Sequence, residues 1–116
     1  MNHNPSISVI MPVYNAANYV RESVQSIINQ TYIDFEFIII DDGSIDESLQ
    51  IIESFTDKRI WIIKKSLNTG NYHSRNDGMK IAKGKYICVM DAADIELPER
   101  FEKQYVFTTV PLKTGG

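Results

Sequence analysis

Two acidic pairs are the groups in this sequence best suited to do chemistry. Asp41 and Asp42 follow the apolar run Phe37-Ile38-Ile39-Ile40 and are followed at once by Gly43 and Ser44. Asp91 and Asp94 follow a second such run, Ile87-Cys88-Val89-Met90. Carboxylates at the end of a buried strand serve no packing purpose. They can hold a divalent cation through oxygen, accept hydrogen bonds from a base edge or a ribose, or balance the positive end of a helix. A third apolar run, ending in Pro12-Val13-Tyr14-Asn15, offers a ring that could stack on a base. Arg75 could neutralise phosphate charge. Each has a plainer reading: Tyr14 as a half-buried aromatic, Asp41 as a charge beside a helix starting at Ser44, Arg75 as a solvated cation. His3 and His73 read as surface residues, since no metal-ligand spacing surrounds them.

The elements that must position these groups follow from periodicity. Strands are expected over about Ser6 to Met11, Glu36 to Asp41, Arg59 to Ile63 and Lys85 to Met90, as short apolar runs stopped by turn residues. Pro12, which donates no ladder hydrogen bond, is expected to end the first. Helical spacing of Val20, Val24, Ile27 and Ile28 predicts a helix from Asn18 to Asn29, capped by Asn15 or Asn18, with Arg21, Glu22 and Gln25 on its wet face. Ser44 and Glu47 form a capping box for a second helix, whose buried stripe would be Ile45, Leu49, Ile52 and Phe55 and whose end falls near Ser54 to Asp57. A third helix is expected from Tyr72 to Ala82, with Met79 and Ala82 buried and Gly84 just past its end. A fourth opens at Pro98 and runs through Gln104. Trp61, between apolar neighbours, reads as packing.

Strands alternating with amphipathic helices imply a doubly wound α/β unit, a mostly parallel sheet with helices on both faces and right-handed crossovers. The carboxyl ends of parallel strands share one edge, which is where ligands bind in such sheets. Neither a P-loop nor G-x-G-x-x-G is present, so a phosphate would be held through a cation or a basic side chain.

With 116 residues the chain is one domain at most. A net charge of −3 argues against nucleic acid held by phosphate contacts. The single Cys88 excludes an internal disulfide, suits a reducing cytosol and reads as core filler. No apolar stretch approaches the roughly 20 residues that span a bilayer. The expected location is cytoplasmic, with any peripheral membrane link supplied by another part of the protein.

The ordered motifs resemble the amino-terminal half of inverting family 2 glycosyltransferases. They are Ile7-Ser8-Val9-Ile10-Met11-Pro12-Val13-Tyr14-Asn15, Gln30-Thr31-Tyr32 and Ile40-Asp41-Asp42-Gly43-Ser44. Asn68, Gly70, Arg75-Asn76 and Gly78 follow, then Ala82-Lys83-Gly84-Lys85-Tyr86-Ile87, and Asp91-Ala92-Ala93-Asp94 with Pro98-Glu99-Arg100. The resemblance covers residues 6 to 105 or so. It implies a Rossmann-like GT-A fold that binds a nucleotide-diphospho-sugar, most simply a UDP-sugar, for transfer to the hydroxyl of an acceptor glycan or lipid-linked sugar. Carried over by position, Pro12, Tyr14 and Asn15 line the base pocket, Asp42 contacts the base, and Arg75 and Asn76 lie near the ribose and diphosphate. Asp91 approaches the ribose or the shell of a Mn²⁺ or Mg²⁺ ion, which Asp91 and Asp94 would hold. The family's acidic motif carries its metal-ligating aspartate where this chain has Ala93, whose methyl coordinates nothing. The resemblance also places the catalytic base in a carboxyl-terminal half that these residues do not include. The expectation is therefore a partial GT-A domain with a core over 6–106, a frayed tail over 107–116, and self-association through an exposed sheet edge.

Two other readings compete. A phosphoacceptor receiver domain also ends a strand in an acidic pair, but places that pair after its first strand and needs two more strands after the acceptor. A non-catalytic nucleotide-binding or self-associating module would leave an apolar edge open to pairing.

Overall fold

The computed structural model describes residues 4–92. Four strands and three helices alternate: β1 Ile7–Val13, α1 Val20–Ile28, β2 Phe35–Asp42, α2 Ser48–Glu53, β3 Ile60–Lys65, α3 Asn71–Ile81 and β4 Tyr86–Val89. The sheet order is β3-β2-β1-β4, and every neighbouring pair is parallel. This is the α/β architecture that the alternation predicts.

Topology decides which face each helix covers. The chain steps from β1 to β2 to β3 in one direction and then crosses back over both inner strands to reach β4. Right-handed crossovers therefore put α1 and α2 on one face and α3 on the other. The side chains agree. Val9, Met11 and Val13 of β1 and Phe35, Phe37 and Ile39 of β2 form one core with Val20, Val24 and Ile27 of α1 and Ile52 of α2. Ile10, Ile38 and Ile40 form the other with Ala82 and the half-buried Met79. Arg21, Glu22 and Gln25 are exposed, as their helical phase requires. All eight residues of β2 are buried, because it is covered on both faces and paired on both sides. Helix α3 lies so close to the sheet that a Cβ on Gly78 would come within 2.8 Å of Ile40 Cδ1 and 2.9 Å of Ile10 Cγ2.

Three expectations give way. Pro12 does not end β1 but lies inside it, opposite Ile40. Alternate residues of a parallel strand address alternate neighbours, and the Met90 amide donates to the Ile10 carbonyl, so Pro12 faces the β4 side. There β4 pairs only as far as Ile10 opposite Val89, and no N–H is called for. The capping box does not form either: α2 begins at Ser48 with no side-chain cap, and Ile45 is 88% exposed instead of joining the buried stripe. Trp61 is 56% exposed, because β3 is an edge strand covered on one face only at that position. The helix expected from Pro98, and the tail beyond it, lie outside the described residues. Among the described residues no helix is long and apolar enough to cross a membrane.

Candidate functional site

Register aligns the strand ends. Val13 stands opposite Asp41, and Asp42 opposite Lys65, so the loops after β1, β2 and β3 leave the sheet at one level. The strand order reverses between β1 and β4, the crevice where open α/β sheets bind ligands. A cleft of about 470 Å³ opens there, lined by Pro12, Tyr14, Asn15 and Tyr19 from the β1 side, Asp42, Asn68, Gly70 and Asn71 from the β2 and α3 side, and Asp91 and Ala92 after β4.

The loops around it are laced to one another. Asn15 adopts φ 48, a conformation that asparagine tolerates better than most residues. Its amide donates to Ser44 Oγ at 3.0 Å, and its Oδ1 accepts from the Ile45 amide at 2.9 Å. The Ala16 amide donates to Ser48 Oγ at 2.8 Å and the Ala17 amide to Asp46 Oδ2 at 3.2 Å. The Ser44 hydroxyl thus serves a neighbouring loop instead of its own helix, and Asn15 joins two loops instead of capping α1. Asp46 accepts the Ser48 amide at the start of α2. On the far side, the buried Ser23 hydroxyl of α1 donates to the Ala92 carbonyl, fixing the exit from β4 beside Asp91. Tyr14 and Tyr19 stay half exposed, at 49% and 54%, with their rings available to the cleft.

Asp41 and Asp42 are both 2% exposed and differ in every other respect. Side chains alternate along β2, so Asp42 faces α3 and Asp41 faces α1 and α2. Asp42 Oδ1 accepts from the Thr69 amide at 2.9 Å and the Thr69 hydroxyl at 3.2 Å, and its Oδ2 accepts from the Gly70 amide at 2.9 Å. Burial pushes the Asp42 carboxyl up, but hydrogen bonds from Thr69, Ser74 and Gly70 outweigh it and hold the group below the ordinary carboxylate value. Asp42 is therefore an ionised acceptor at the rim of the cleft. Asp41 Oδ1 is buried without a hydrogen-bond partner among the described residues. It supports no helix start, since α2 begins further along the chain. Gly43 makes this corner possible: at φ 73 it passes so close to the next loop that a Cβ would meet the Asn68 nitrogen at 2.7 Å.

Of the residues expected at the site, Pro12, Tyr14, Asn15, Asp42 and Asp91 line the cleft. Arg75 and Asn76 do not. Helix α3 presents its first turn, with Asn71, and carries later residues away from the edge at about 1.5 Å each. Arg75 is half-buried, its guanidinium 5.7 Å from the centre of the Tyr72 ring and its Nε without a hydrogen-bond partner among the described residues. Asn76 lines a separate shallow depression with His73 and Lys80. Sequence reading missed Tyr19 and Asn71; the available signal for Tyr19 was an aromatic just ahead of the α1 stripe and out of phase with it. Ala93 and Asp94 lie outside the described residues, among which no group of three acidic, histidine or cysteine side chains could hold a metal ion. Of the two expected metal ligands, the described residues supply Asp91 alone.

Residues 8–107 match glycosyl transferase family 2. The uncharacterized glycosyltransferase MJ1057 of Methanocaldococcus jannaschii is 46% identical over 107 residues, which are 89% of this chain and 37% of that protein. Among solved structures, S. aureus TarS 1-349 in complex with UDP superposes with a TM-score of 0.81 at 30% identity, over 88% of this chain and 31% of TarS 1-349. The mannosyltransferase PcManGT of Pyrobaculum calidifontis, in complex with GDP-Man and Mn²⁺, shares the fold with a TM-score of 0.78 at 23% identity, over 92% of this chain and 32% of that one. The chain thus spans about a third of the length of these relatives. A receiver domain is excluded by the family match and by the place of the acidic pair, which ends β2 with the whole β1–α1 unit ahead of it instead of following the first strand. With its parallel sheet, polar strand ends and ordered motifs, the chain belongs to glycosyl transferase family 2.

Proposed function

We propose that this chain is the donor-nucleotide-binding part of a glycosyltransferase, taking a UDP-sugar whose sugar passes to the hydroxyl of an acceptor glycan or lipid-linked sugar. The observation that carries the reading is the Asp42 carboxylate, buried yet ionised, at the rim of a cleft walled by Tyr14 and Tyr19. A carboxylate that only accepts hydrogen bonds suits a base that presents a ring N–H, as uracil does. A flat apolar ring beside it supplies stacking, worth about 1–3 kcal/mol per base. Pro12 and Asn15 complete the base side of the pocket, and Asn71 and Asp91 face the ribose and diphosphate. The TarS complexes with UDP and UDP-GlcNAc support the uridine nucleotide over the guanosine one. Arg75 and Asn76, set back along α3, meet the diphosphate only after a shift of that helix or of the loop before it.

A divalent cation fits the described residues poorly, since Asp91 and Asp42 are the only carboxylates that line the cleft there and no group of three ligating side chains forms among them. If Asp94 joins Asp91, a bound Mn²⁺ or Mg²⁺ would stabilise the departing diphosphate as a Lewis acid. The acceptor-activating base belongs to the part of the relatives that extends beyond this chain.

Calorimetric titration with UDP, GDP and dTDP, with and without Mn²⁺, tests the reading. UDP is expected to bind, Tyr14→Ala and Asp42→Asn each to weaken it about tenfold, and Mn²⁺ to add little until Ala93→Asp restores a ligand. Absence of binding by all three nucleotides, in both the wild-type and the Ala93→Asp chain, would end it.

A further inference from the structure

Lys65 is the last residue of β3 and stands opposite Asp42 in the sheet register. Its side chain is 17% exposed, and its ammonium lies 2.7 Å from Asp77 Oδ2, 3.5 Å from Ser74 Oγ and 3.8 Å from Asp42 Oδ1, with Thr69 Oγ1 also in contact. An ammonium has three donors and no acceptor. Thr69 Oγ1 therefore accepts from Lys65, and its single proton must point elsewhere. The partner it finds is Asp42 Oδ1, at 3.2 Å. Lys65 thus sets the direction of the Thr69 hydroxyl and places a positive charge behind Asp42. Asp77, on the second turn of α3, holds Lys65 from the other side. Neither Lys65 nor Asp77 lines the cleft.

We propose that Lys65, braced by Asp77, is a positioning residue that aims the Asp42 carboxylate at the nucleobase, so that base selectivity depends on a side chain that never reaches the ligand. The proposal rests on the reading of Asp42 as the base contact. Loss of the ammonium frees the Thr69 hydroxyl to rotate and leaves Asp42 held by the Thr69 and Gly70 amides and the Ser74 hydroxyl. Asp77, being partly exposed, tolerates the loss by turning to water.

A double-mutant cycle read by UDP calorimetry tests this, with the wild-type chain, Asp42→Asn, Lys65→Met and the double variant compared, and folding checked by circular dichroism. Lys65→Met is expected to weaken UDP about five- to tenfold in the wild-type background and less than twofold in the Asp42→Asn background, because coupled residues do not add. It is also expected to reduce the preference for UMP over CMP, which has no ring N–H at the matching position. An equal loss in both backgrounds, or none in the first, would overturn the positioning role. An Asp42→Asn variant that binds UDP as well as wild type would instead remove the underlying reading of Asp42. If Lys65→Met does not fold, Asp77→Asn takes its place in the same cycle. Its expected loss is about twofold in the wild-type background and none in the Asp42→Asn background, and equal losses in the two would again overturn the role.

Discussion

Glu36 and Asp41 are buried carboxylates on the same strand, and the two edges of the sheet treat them in opposite ways. At the amino-terminal edge Glu36 Oε2 accepts from the Ser8 hydroxyl at 2.5 Å and from the Lys83 amide at 2.6 Å, while the Gly84 amide donates to Ser8 Oγ at 2.8 Å. Ser6 bonds Asp34 nearby, and Arg59 joins Asp57 to the Ile28 and Ile33 carbonyls while stacking 4.2 Å above Phe35. This edge closes on itself. At the carboxyl-terminal edge Asp41 keeps a buried oxygen without a partner among the described residues, two tyrosines stand half exposed, and Asn15 holds a left-handed backbone. Buried polar groups are normally paired. The edge that leaves capacity over is the one built to meet something else, and the closed edge is the scaffold that lets it do so.

The two glycines that seal these edges give the largest contrast. Alanine at Gly84 would place its Cβ 2.6 Å from the Ser8 nitrogen, and alanine at Gly43 would place it 2.7 Å from the Asn68 nitrogen at a positive φ. Backbone cannot yield as a side-chain tip can. Each substitution is expected to destabilise the fold by about 3 kcal/mol or more, with left-handed strain of about 1 kcal/mol added at Gly43. Only Gly43→Ala should also weaken UDP, because it pushes the loop bearing Thr69 and Gly70 away from Asp42. Thermal unfolding and calorimetry on the same samples separate the two. If Gly84→Ala weakens UDP as much as Gly43→Ala does, the edges are not independent.

The carboxylates themselves come next. Glu36→Ala leaves the buried Ser8 hydroxyl and the part-buried Lys83 amide without their acceptor and is expected to cost about 2–4 kcal/mol. Asp41→Asn abandons no hydrogen bond at Oδ1, which has no partner among the described residues, so its stability should stay within about 1 kcal/mol of wild type, on either side. Denaturant titration of the two variants compares them directly. A larger loss at Asp41 than at Glu36 would mean that Asp41 is held by a partner, and the contrast between the edges would collapse.

How much of this was legible depends on how far apart in sequence the cause lies. The strands, the α1 stripe and the shared edge of Tyr14, Asp42 and Asp91 follow from local periodicity and from the rule for parallel sheets, and all were expected. The failures are nonlocal. Ser44 and Glu47 satisfy a capping pattern, yet the Ser44 hydroxyl is taken by Asn15, far back in the chain. Pro12 reads as a strand end until one knows that β4 stops pairing before it. Trp61 reads as core until the strand order makes β3 an edge. The bonds that hold Asp42 come from the loop after β3, which no spacing within its own motif announces.

Acid provides the finest test, because both edges contain aspartates held below their ordinary pKa by different means. Burial pushes Asp42 up while the amides and hydroxyls of the α3 loop outweigh it; Asp57 is lowered chiefly by its hydrogen bonds to Arg59. A carboxyl depressed in the folded state stabilises the protein above its unfolded pKa, near 3.9, and that contribution is lost as pH falls through the lower folded value. Wild-type stability should therefore decline as pH is lowered below about 4, and Asp42→Asn and Asp57→Asn should each decline less, by about 1 kcal/mol or under. Salt distinguishes the causes. The Arg59–Asp57 pair is partly exposed, with side chains 26% and 20% accessible, so about 1 M salt should screen its share. The share of Asp42, fixed mainly by neutral donors in a buried corner, should persist. Thermal unfolding from pH 5 to pH 3 at low and high salt measures both. An Asp42→Asn chain that loses as much stability as wild type on acidification would show that the site-edge carboxylate is not held ionised, and the cleft would lose the fixed acceptor on which its reading rests.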